Sequence, residues 1–329
     1  MKSATQSLSA QDRDRREKRT PLTLRLECPV CRSGLGSPVA TQFVCNTCQF
    51  AISQAGGIYR ALPPSREEHF RRFIADYEFV REKEGRGSDS APYYLALPFE
   101  DVTGRNAWQW RIRARTFTFL NQTILAGVRA QHPQGASILD VGAGNCWLSN
   151  RLAVAGHHPV ALDIICNPND GLGAARHYAG PDPFPCFQAE MDRLPFADRQ
   201  FDAVIFNASF HYSTDYEITL QEALRCLKRP GYLVITDSPW YSRPEAGEQM
   251  VKEKHEAFRR TFGFASDSLR SREYLTPQIL ARLAKSLSIT WKVGKPWYGV
   301  RWALRPLKAF VLRRRETSKF YVFWARVGP

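Results

Sequence analysis

No stretch of the 329-residue chain approaches the roughly 20 consecutive apolar residues that a membrane-spanning helix requires, and the opening MKSATQSLSAQDRDRREKRT lacks the apolar core of a secretion signal. A cytoplasmic protein is the expectation. The same opening stretch contains no aromatic side chain and mixes both signs of charge, so it cannot bury enough surface to fold alone, and a disordered lead over residues 1–20 is expected. Internal repeats are absent, which sets aside repeat architectures. Acidic residues are in short supply: 32 Asp and Glu against 46 Lys and Arg leave a net charge of +14. That excess points to an anionic partner, whether nucleic acid, anionic lipid or a phosphorylated substrate, and its sign alone does not choose among them.

With 43% hydrophobic side chains, the chain can bury one large core and something smaller beside it. Of the eight cysteines, Cys146, Cys166, Cys186 and Cys226 are scattered through apolar contexts, and no disulfide is expected. The other four are paired, Cys28 with Cys31 and Cys45 with Cys48, in a stretch punctuated by Gly and Pro. Thiolates three positions apart on a knuckle turn bind one side of a tetrahedral zinc, and two knuckles complete the shell. Cys28, Cys31, Cys45 and Cys48 are therefore the candidate ligands of a zinc ribbon over 21–62, a small separate module. Four thiolates leave no open position, so the metal is expected to be structural.

Phe70, Phe73, Ile74, Tyr77 and Val80 recur at helical intervals, and the spacing predicts a helix over 65–84 that stops before Gly85-Arg86-Gly87. A second helix is expected over 107–129, with Trp108, Ile112, Phe119 and Leu120 among its apolar anchors, so that 63–130 forms a helical linker or cap. Strand and helix signals then alternate: strand 137–141, helix 146–155, strand 159–163, strand 202–208, helix 215–228 and strand 232–237. Such alternation calls for a parallel sheet covered by helices, here filling a domain over 131–329.

In an open parallel sheet, ligands sit beyond the carboxyl ends of the strands, where glycine lets the backbone approach them closely. Asp140-Val141-Gly142-Ala143-Gly144 occupies such a place. The dinucleotide fingerprint needs a small residue where this chain has Trp147, which disfavours a pyrophosphate. Asp163, closing the next strand, can accept hydrogen bonds from both hydroxyls of a ribose. An adenosine carrying something other than a diphosphate fits.

These residues resemble class I S-adenosylmethionine-dependent methyltransferases, particularly the branch that contains the ubiquinone and menaquinone biosynthesis enzymes. LDVGAGN is similar to the family's first motif, which implies Asp140, Gly142, Ala143 and Gly144 beneath the methionine part of the cofactor. ALDI resembles the second strand with its ribose acid, implying Asp163 and Ile164. AEMDRLPFADRQFDAVIFNASFHYS, over 189–213, is similar to the third and fourth motifs. It implies Glu190, Met191 and Asp192 beside the adenine, and Asn207 through Tyr212 facing the methyl group. EALRCLKRPGYLVITD resembles the helix, turn and fifth strand that follow. The chain departs from the pattern at Cys146, where many members have glycine, and at Glu190, where Asp is commoner. The implied fold is α/β, a Rossmann-like class I methyltransferase sheet with helices on both faces, preceded by the four-cysteine zinc ribbon and a helical segment. S-adenosyl-L-methionine and a structural Zn2+ are the expected cofactors.

A sulfonium is already an activated methyl donor, so orienting the incoming nucleophile supplies most of the catalysis. Where the acceptor must lose a proton, His211 is the candidate base, with Tyr212 and Asp237 near it by topology; packing of His211 over the cofactor is the alternative. The expected acceptor is a small-molecule or lipid-linked metabolite. A cysteine module ahead of such a domain also resembles the bacterial enzymes that methylate guanine N1 in large-subunit ribosomal RNA, and FAISQAGGIYRALP is similar to the stretch after their zinc knuckles. RNA therefore stays open as an acceptor, as does a non-catalytic nucleic-acid-binding or scaffold role. Between Trp291 and Arg315 lie eight basic residues and no acid, interleaved with Trp and Phe. On a helix, Arg301, Arg305, Lys308 and Arg315 share one side, with Leu304, Leu307, Phe310 and Val311 away from it. Segment 291–315 can rest on an anionic membrane surface, placing the protein peripherally on the inner face, can grip RNA phosphates, or can be a solvated face linking the last two strands. Pro306 interrupts that helix unless the helix starts there.

Overall fold

The computed structural model describes residues 24–37, 42–178 and 184–328, and the lead expected over 1–20 lies outside the described residues. The first half contains β1 (Gln42–Val44), β2 (Ala51–Ala55), β3 (Ile58–Arg60), α1 (Pro64–Lys83), α2 (Ala91–Ala96), α3 (Ala107–Gln122), α4 (Ile124–Gln131), β4 (Ser137–Val141), α5 (Trp147–Val154) and β5 (His158–Asp163). The second half adds β6 (Cys186–Gln188), β7 (Phe201–Asn207), α6 (Tyr216–Cys226), β8 (Leu227–Thr236), β9 (Pro239–Trp240), α7 (Pro244–Phe262) and α8 (Pro277–Ser286). It closes with β10 (Lys292–Gly294), α9 (Val300–Ala303), α10 (Arg305–Val311), β11 (Lys319–Phe320) and β12 (Val322–Val327). Among the described residues, no helix is long and apolar enough to cross a membrane.

One ten-stranded sheet runs in the order β1-β2-β3-β6-β5-β4-β7-β8-β12-β10. Its strands from β3 to β8 are parallel, whereas β12 and β10 close one side and β2 and β1 the other as antiparallel edges. The central strands are apolar on both faces because helices cover both, and alternation along each strand divides their side chains between two cores. Leu139, Val141, Val204, Phe206, Leu233 and Ile235 enter the core shared with α6 and α8. Ile138, Ala203, Ile205 and Val234 enter the core shared with α3, α4 and α5. Helix α6 begins where Asp215 accepts from Glu217 N at 2.9 Å and Ile218 N at 3.1 Å, which satisfies its first free amides.

Several expectations are corrected. The single helix over 107–129 is two helices, broken at Thr123, whose hydroxyl donates to Phe119 O at 2.6 Å and so competes with the helical backbone pattern. Trp108 is exposed; Trp110 takes the inward place, packing edge-on against Trp147 at 6.1 Å. Asp237 lies one residue beyond β8, in the left-handed region with φ 51°. Segment 301–315 is not one helix either: α9 and α10 meet at Leu304, just before Pro306, whose ring and missing N–H prevent a continuous run.

The cysteine-bearing stretch, expected as a separate module, is joined to the sheet. β3 pairs in parallel with β6, aligning Tyr59 with Phe187 and stacking their rings at 4.8 Å. Arg225 binds Glu27 at 2.7 Å, Arg32 binds Glu222 at 2.9 Å, and Arg193 donates to Val30 O at 2.7 Å. The cysteine-bearing stretch thus rests on the segment 193–225 that follows β6.

Asp140 faces the α5 side of β4, where Ser149 Oγ donates to its Oδ2 at 2.7 Å, while Oδ1 is buried without a hydrogen-bond partner among the described residues. Burial pushes its carboxyl up from 3.8 to about 7. In the unfolded chain the group ionises near the lower value, so its stabilising protonated state is complete below 3.8 and is lost as the pH rises through about 7. Relative to wild type, Asp140→Asn should gain on the order of 4 kcal/mol in unfolding free energy between those limits. Urea titrations of both proteins across that range check this; parallel pH profiles would refute the buried-acid assignment.

Candidate active site

Three donors tie the turn after β4 to the end of β5. Gly142 N and Ala143 N both donate to Leu162 O, at 2.7 and 3.0 Å, and Gly144 N donates to Asp163 Oδ2 at 2.8 Å. Gly142 is required twice over: its φ is 73°, and a Cβ there would lie 2.2 Å from Ser209 Cβ. Asp163 Oδ1 accepts from Ile165 N at 2.9 Å. Burial raises its carboxyl pKa, opposed by hydrogen bonds from the amides of Ile165, Gly144 and Ile164. Each carboxylate oxygen still has acceptor capacity left for a ligand hydroxyl.

The neighbouring strand ends complete a cavity at the carboxyl edge of the sheet. Gly142, Ala143, Gly144, Asp163 and Ile164 form one wall, and Glu190, Met191, Asp192 and Asn207 another. Every residue expected to bind cofactor therefore lines one cavity, with Asp140 the exception, since it lies behind the turn against Ser149. Asp192 is held by the hydroxyls of Thr219 and Thr214, and Asn207 Oδ1 accepts from Thr236 at 3.0 Å. The close backbone turn, a carboxylate with free acceptor capacity and an apolar thioether suit an adenosine with an amino-acid extension.

Helix α1, within the segment expected as a helical linker or cap, covers this cavity. Phe70, Phe73, Tyr77 and Arg81 line it from one helical face. The helix is pinned near both ends. Arg66 forms a two-pronged ion pair with Glu190, its Nη2 lying 2.7 Å from Oε2, and Arg81 pairs with the buried Asp170. Glu190, expected beside the adenine, thus spends both oxygens on the cover helix.

The expected catalytic trio lies around a fourth residue, Arg113 of α3. Tyr212 lines the cavity and meets Phe73 and Tyr77 edge-on at 6.0 and 6.1 Å. His211 lies behind it, with Nδ1 3.4 Å from Ser238 Oγ, and does not line the cavity. Burial, reinforced by the charges of Lys254 and Arg113, pushes the His211 imidazole down to about 3. Asp237 accepts from Thr116 Oγ1 at 2.6 Å, Thr116 contacts Tyr298 OH at 2.9 Å, and burial raises the Asp237 pKa while Arg113 opposes the rise. Arg113 itself lines the cavity and packs over Trp110 at 4.9 Å. Burial and the charges of Arg81 and Arg86 lower its pKa, and it forms no ion pair among the described residues. A cation in that position favours an anionic group in the cavity. Beyond Phe73, Tyr77 and Tyr212, a second cavity of about 270 Å3 extends between α1 and α7, lined also by Lys254, Phe258 and Leu269.

Away from both cavities, the sulfurs of Cys28, Cys31, Cys45 and Cys48 all lie within 4.8 Å of one another, and none forms a disulfide. Cys28 and Cys48 approach to 3.5 Å and Cys31 and Cys45 to 3.4 Å, close to the separation of about 3.8 Å along the edges of a tetrahedral zinc-thiolate shell. The two knuckles repeat one backbone design. Arg32 N donates to Cys28 O and Gln49 N to Cys45 O, and both Arg32 and Gln49 adopt positive φ.

Residues 139–235 match the family model described as a methyltransferase domain. The malonyl-[acyl-carrier protein] O-methyltransferase of Erwinia billingiae is 30% identical over 108 residues, which is 32% of this chain and 41% of that protein. The demethylmenaquinone methyltransferase of Clavibacter sepedonicus is 35% identical over 116 residues, 34% of this chain and 46% of that protein. The chain thus spans less than half the length of these curated relatives. Among solved structures, an S-adenosylmethionine-dependent methyltransferase from Mesorhizobium loti is 19% identical, with a TM-score of 0.41 over 61% of this chain and 96% of that one. The matched segment is the one that carries the glycine turn, Asp163 and Asn207, so the similarity to a methyltransferase domain falls on the part of the sheet that builds the cavity.

Proposed function

We propose that the protein transfers the methyl group of S-adenosylmethionine to a small or lipid-linked acceptor. The observation that carries this reading is the shared cavity of the 142–144 turn, Asp163, Met191 and Asn207, with a second cavity continuing beyond Tyr212. When bound, the cofactor supplies a methyl group activated by its sulfonium. Asp163 would hold the ribose hydroxyls, Gly142 and Gly144 would let the main chain pass close to the methionine part, and Met191 would pack against the adenine. Arg113, which forms no ion pair among the described residues, would take the carboxylate of the methionine part. The aromatic side chains of Phe73, Tyr77 and Tyr212 border both cavities and would exclude water where donor and acceptor meet.

The acceptor belongs in the second cavity. Its class is supported by the relative named for demethylmenaquinone, while the relative named for malonyl-[acyl-carrier protein] acts on a small acyl group held by a carrier. His211 serves packing rather than proton transfer, because a base works best with a pKa near the operating pH and this imidazole is pushed down to about 3. The four-cysteine cluster would hold a structural zinc, completing a ribbon that supports the sheet edge beside β6.

Three measurements test these assignments. Calorimetric titration with S-adenosylhomocysteine should show binding in about the micromolar range, NAD should not bind, and Asp163→Ala should weaken binding by roughly tenfold or more through lost charge-assisted hydrogen bonds. Absence of S-adenosylhomocysteine binding would sink the cofactor reading. The imidazole NMR signals of His211, assigned by comparison with His211→Asn, should not shift between about pH 5 and 8, whereas a titration midpoint close to the ordinary value would restore a base role. Elemental analysis should find equimolar zinc, and Cys28→Ser should lose it along with several degrees of thermal midpoint. Full zinc retention in that variant would remove the ribbon assignment.

A further inference from the structure

The cofactor and acceptor cavities leave the chain between Pro296 and Lys319 almost unused. Its root is fixed by Tyr298, whose hydroxyl donates to Phe320 O at 2.9 Å, and by Trp302, which stacks on Phe320 at 5.5 Å. From that anchored base, large apolar side chains turn outward. Seven of the sixteen large hydrophobic residues that are exposed among the described residues fall between 297 and 312. Such clustering differs from the scattered apolar exposure that any protein surface tolerates. Phe310 is 81% exposed, Val311 69% and Leu307 60%. On α10 the one buried residue is Ala309, and these three side chains occupy the arc away from it.

A second, independent feature borders this ridge. A cleft of about 670 Å3 is lined by Arg305, Lys308, Arg313, Arg314 and Arg315. Arg315 is engaged by Glu253 at 2.6 Å, and Arg305 lies over the Trp302 ring at 3.8 Å. Lys308, Arg313 and Arg314 form no ion pair among the described residues, and no acid occurs between 291 and 315 to provide one. The end of α10 holds this arrangement in place: Arg313 N donates to Phe310 O, Arg314 N donates to Ala309 O, and Arg313 takes φ 49°. That is the closing turn of a helix with an arginine where glycine is usual, and the cations sit at the negative end of the helix dipole.

An occupant must be apolar at one level and anionic at the next. RNA would satisfy the cations and leave Phe310, Leu307 and Val311 in water. A bilayer offers acyl chains beneath a layer of phosphates, and it matches both features in the order the fold presents them. We propose that segment 297–315 docks on an anionic lipid bilayer. Leu307, Phe310 and Val311 enter the acyl boundary, while Lys308, Arg313 and Arg314 meet the phosphates. This docking stands apart from the methyl-transfer reading and is measured without turnover.

The test is co-flotation of the full chain with phosphatidylcholine vesicles, with and without about a third phosphatidylglycerol. Wild type should float with the anionic vesicles and far less with neutral ones, and added salt should weaken the binding. The doubly substituted Leu307→Glu, Phe310→Glu protein and the doubly substituted Arg313→Glu, Arg314→Glu protein should each bind at least about tenfold more weakly. Both sets of side chains are at the surface, and an unchanged thermal midpoint confirms that each variant is folded. If a variant unfolds, quenching of Trp297 fluorescence by brominated lipid in wild type, measured against Trp297→Phe, decides the question instead. Failure of wild type to float with anionic vesicles overturns the proposal. So does undiminished binding by the apolar variant, or an oligoribonucleotide that displaces wild type from vesicles and binds the apolar variant equally well.

Discussion

The functional end of this molecule depends on three backbone N–H groups that close the turn after β4 onto the end of β5. Two reach Leu162 O and the third reaches Asp163 Oδ2. They bring a glycine backbone and a carboxylate to the same spot. At Gly142 a Cβ would run into Ser209, itself held by a hydroxyl bond to Val141 O on the parent strand. Because β4 pairs with β5 on one side and β7 on the other, the same sheet register places Asn207 and the 189–192 segment around that turn. The cavity is a consequence of parallel pairing: all the strands end on one edge, and their loops meet there.

Charge is the second organising element. Most buried ions here have a stated partner: Arg66 with Glu190, Arg81 with Asp170, Arg225 with Glu27 and Glu222. These pairs join parts of the chain far apart in sequence, locking the cover helix over the cavity and the cysteine knuckles onto the central sheet. Such pairs add more to specificity of arrangement than to net stability, since desolvation offsets much of their attraction. Against that background Arg113 stands out. It is a cation at the cavity wall, and Asp237, the acid whose charge acts on it, is engaged by Thr116 and held toward its neutral form by burial.

Much of the central sheet was legible because buried parallel strands leave continuous apolar runs and glycine turns leave gaps between them. The strands at 137–141, 159–163 and 202–208 appear within a residue or so of expectation. The short β6 was not legible, since three residues carry too little pattern. Helix α1 was visible as an amphipathic run, yet nothing in its spacing told whether Phe70, Phe73 and Tyr77 face a core or a cavity. The break at Thr123 was missed because a hydroxyl that bonds its own helix leaves no signal in apolar periodicity.

The sequence by itself determined what depends on local chemistry and short spacing. The glycine turn with Asp163 beyond it, the two cysteine pairs, the alternating strands and helices, and the acid-free basic stretch over 291–315 all belong to this class. Tertiary structure decided everything that depends on which surfaces meet. It fused the cysteine-bearing stretch to the sheet through β3 and β6, paired the cavity-lining Glu190 with Arg66 of the cover helix, and placed Asp140 behind the turn. It put His211 behind Tyr212 in surroundings that keep it uncharged, and it left the apolar side of α10 facing outward. The physical reason is common to all of these. Periodicity reports that a side chain is apolar or charged, whereas burial, pairing and desolvation arise only when distant segments pack together.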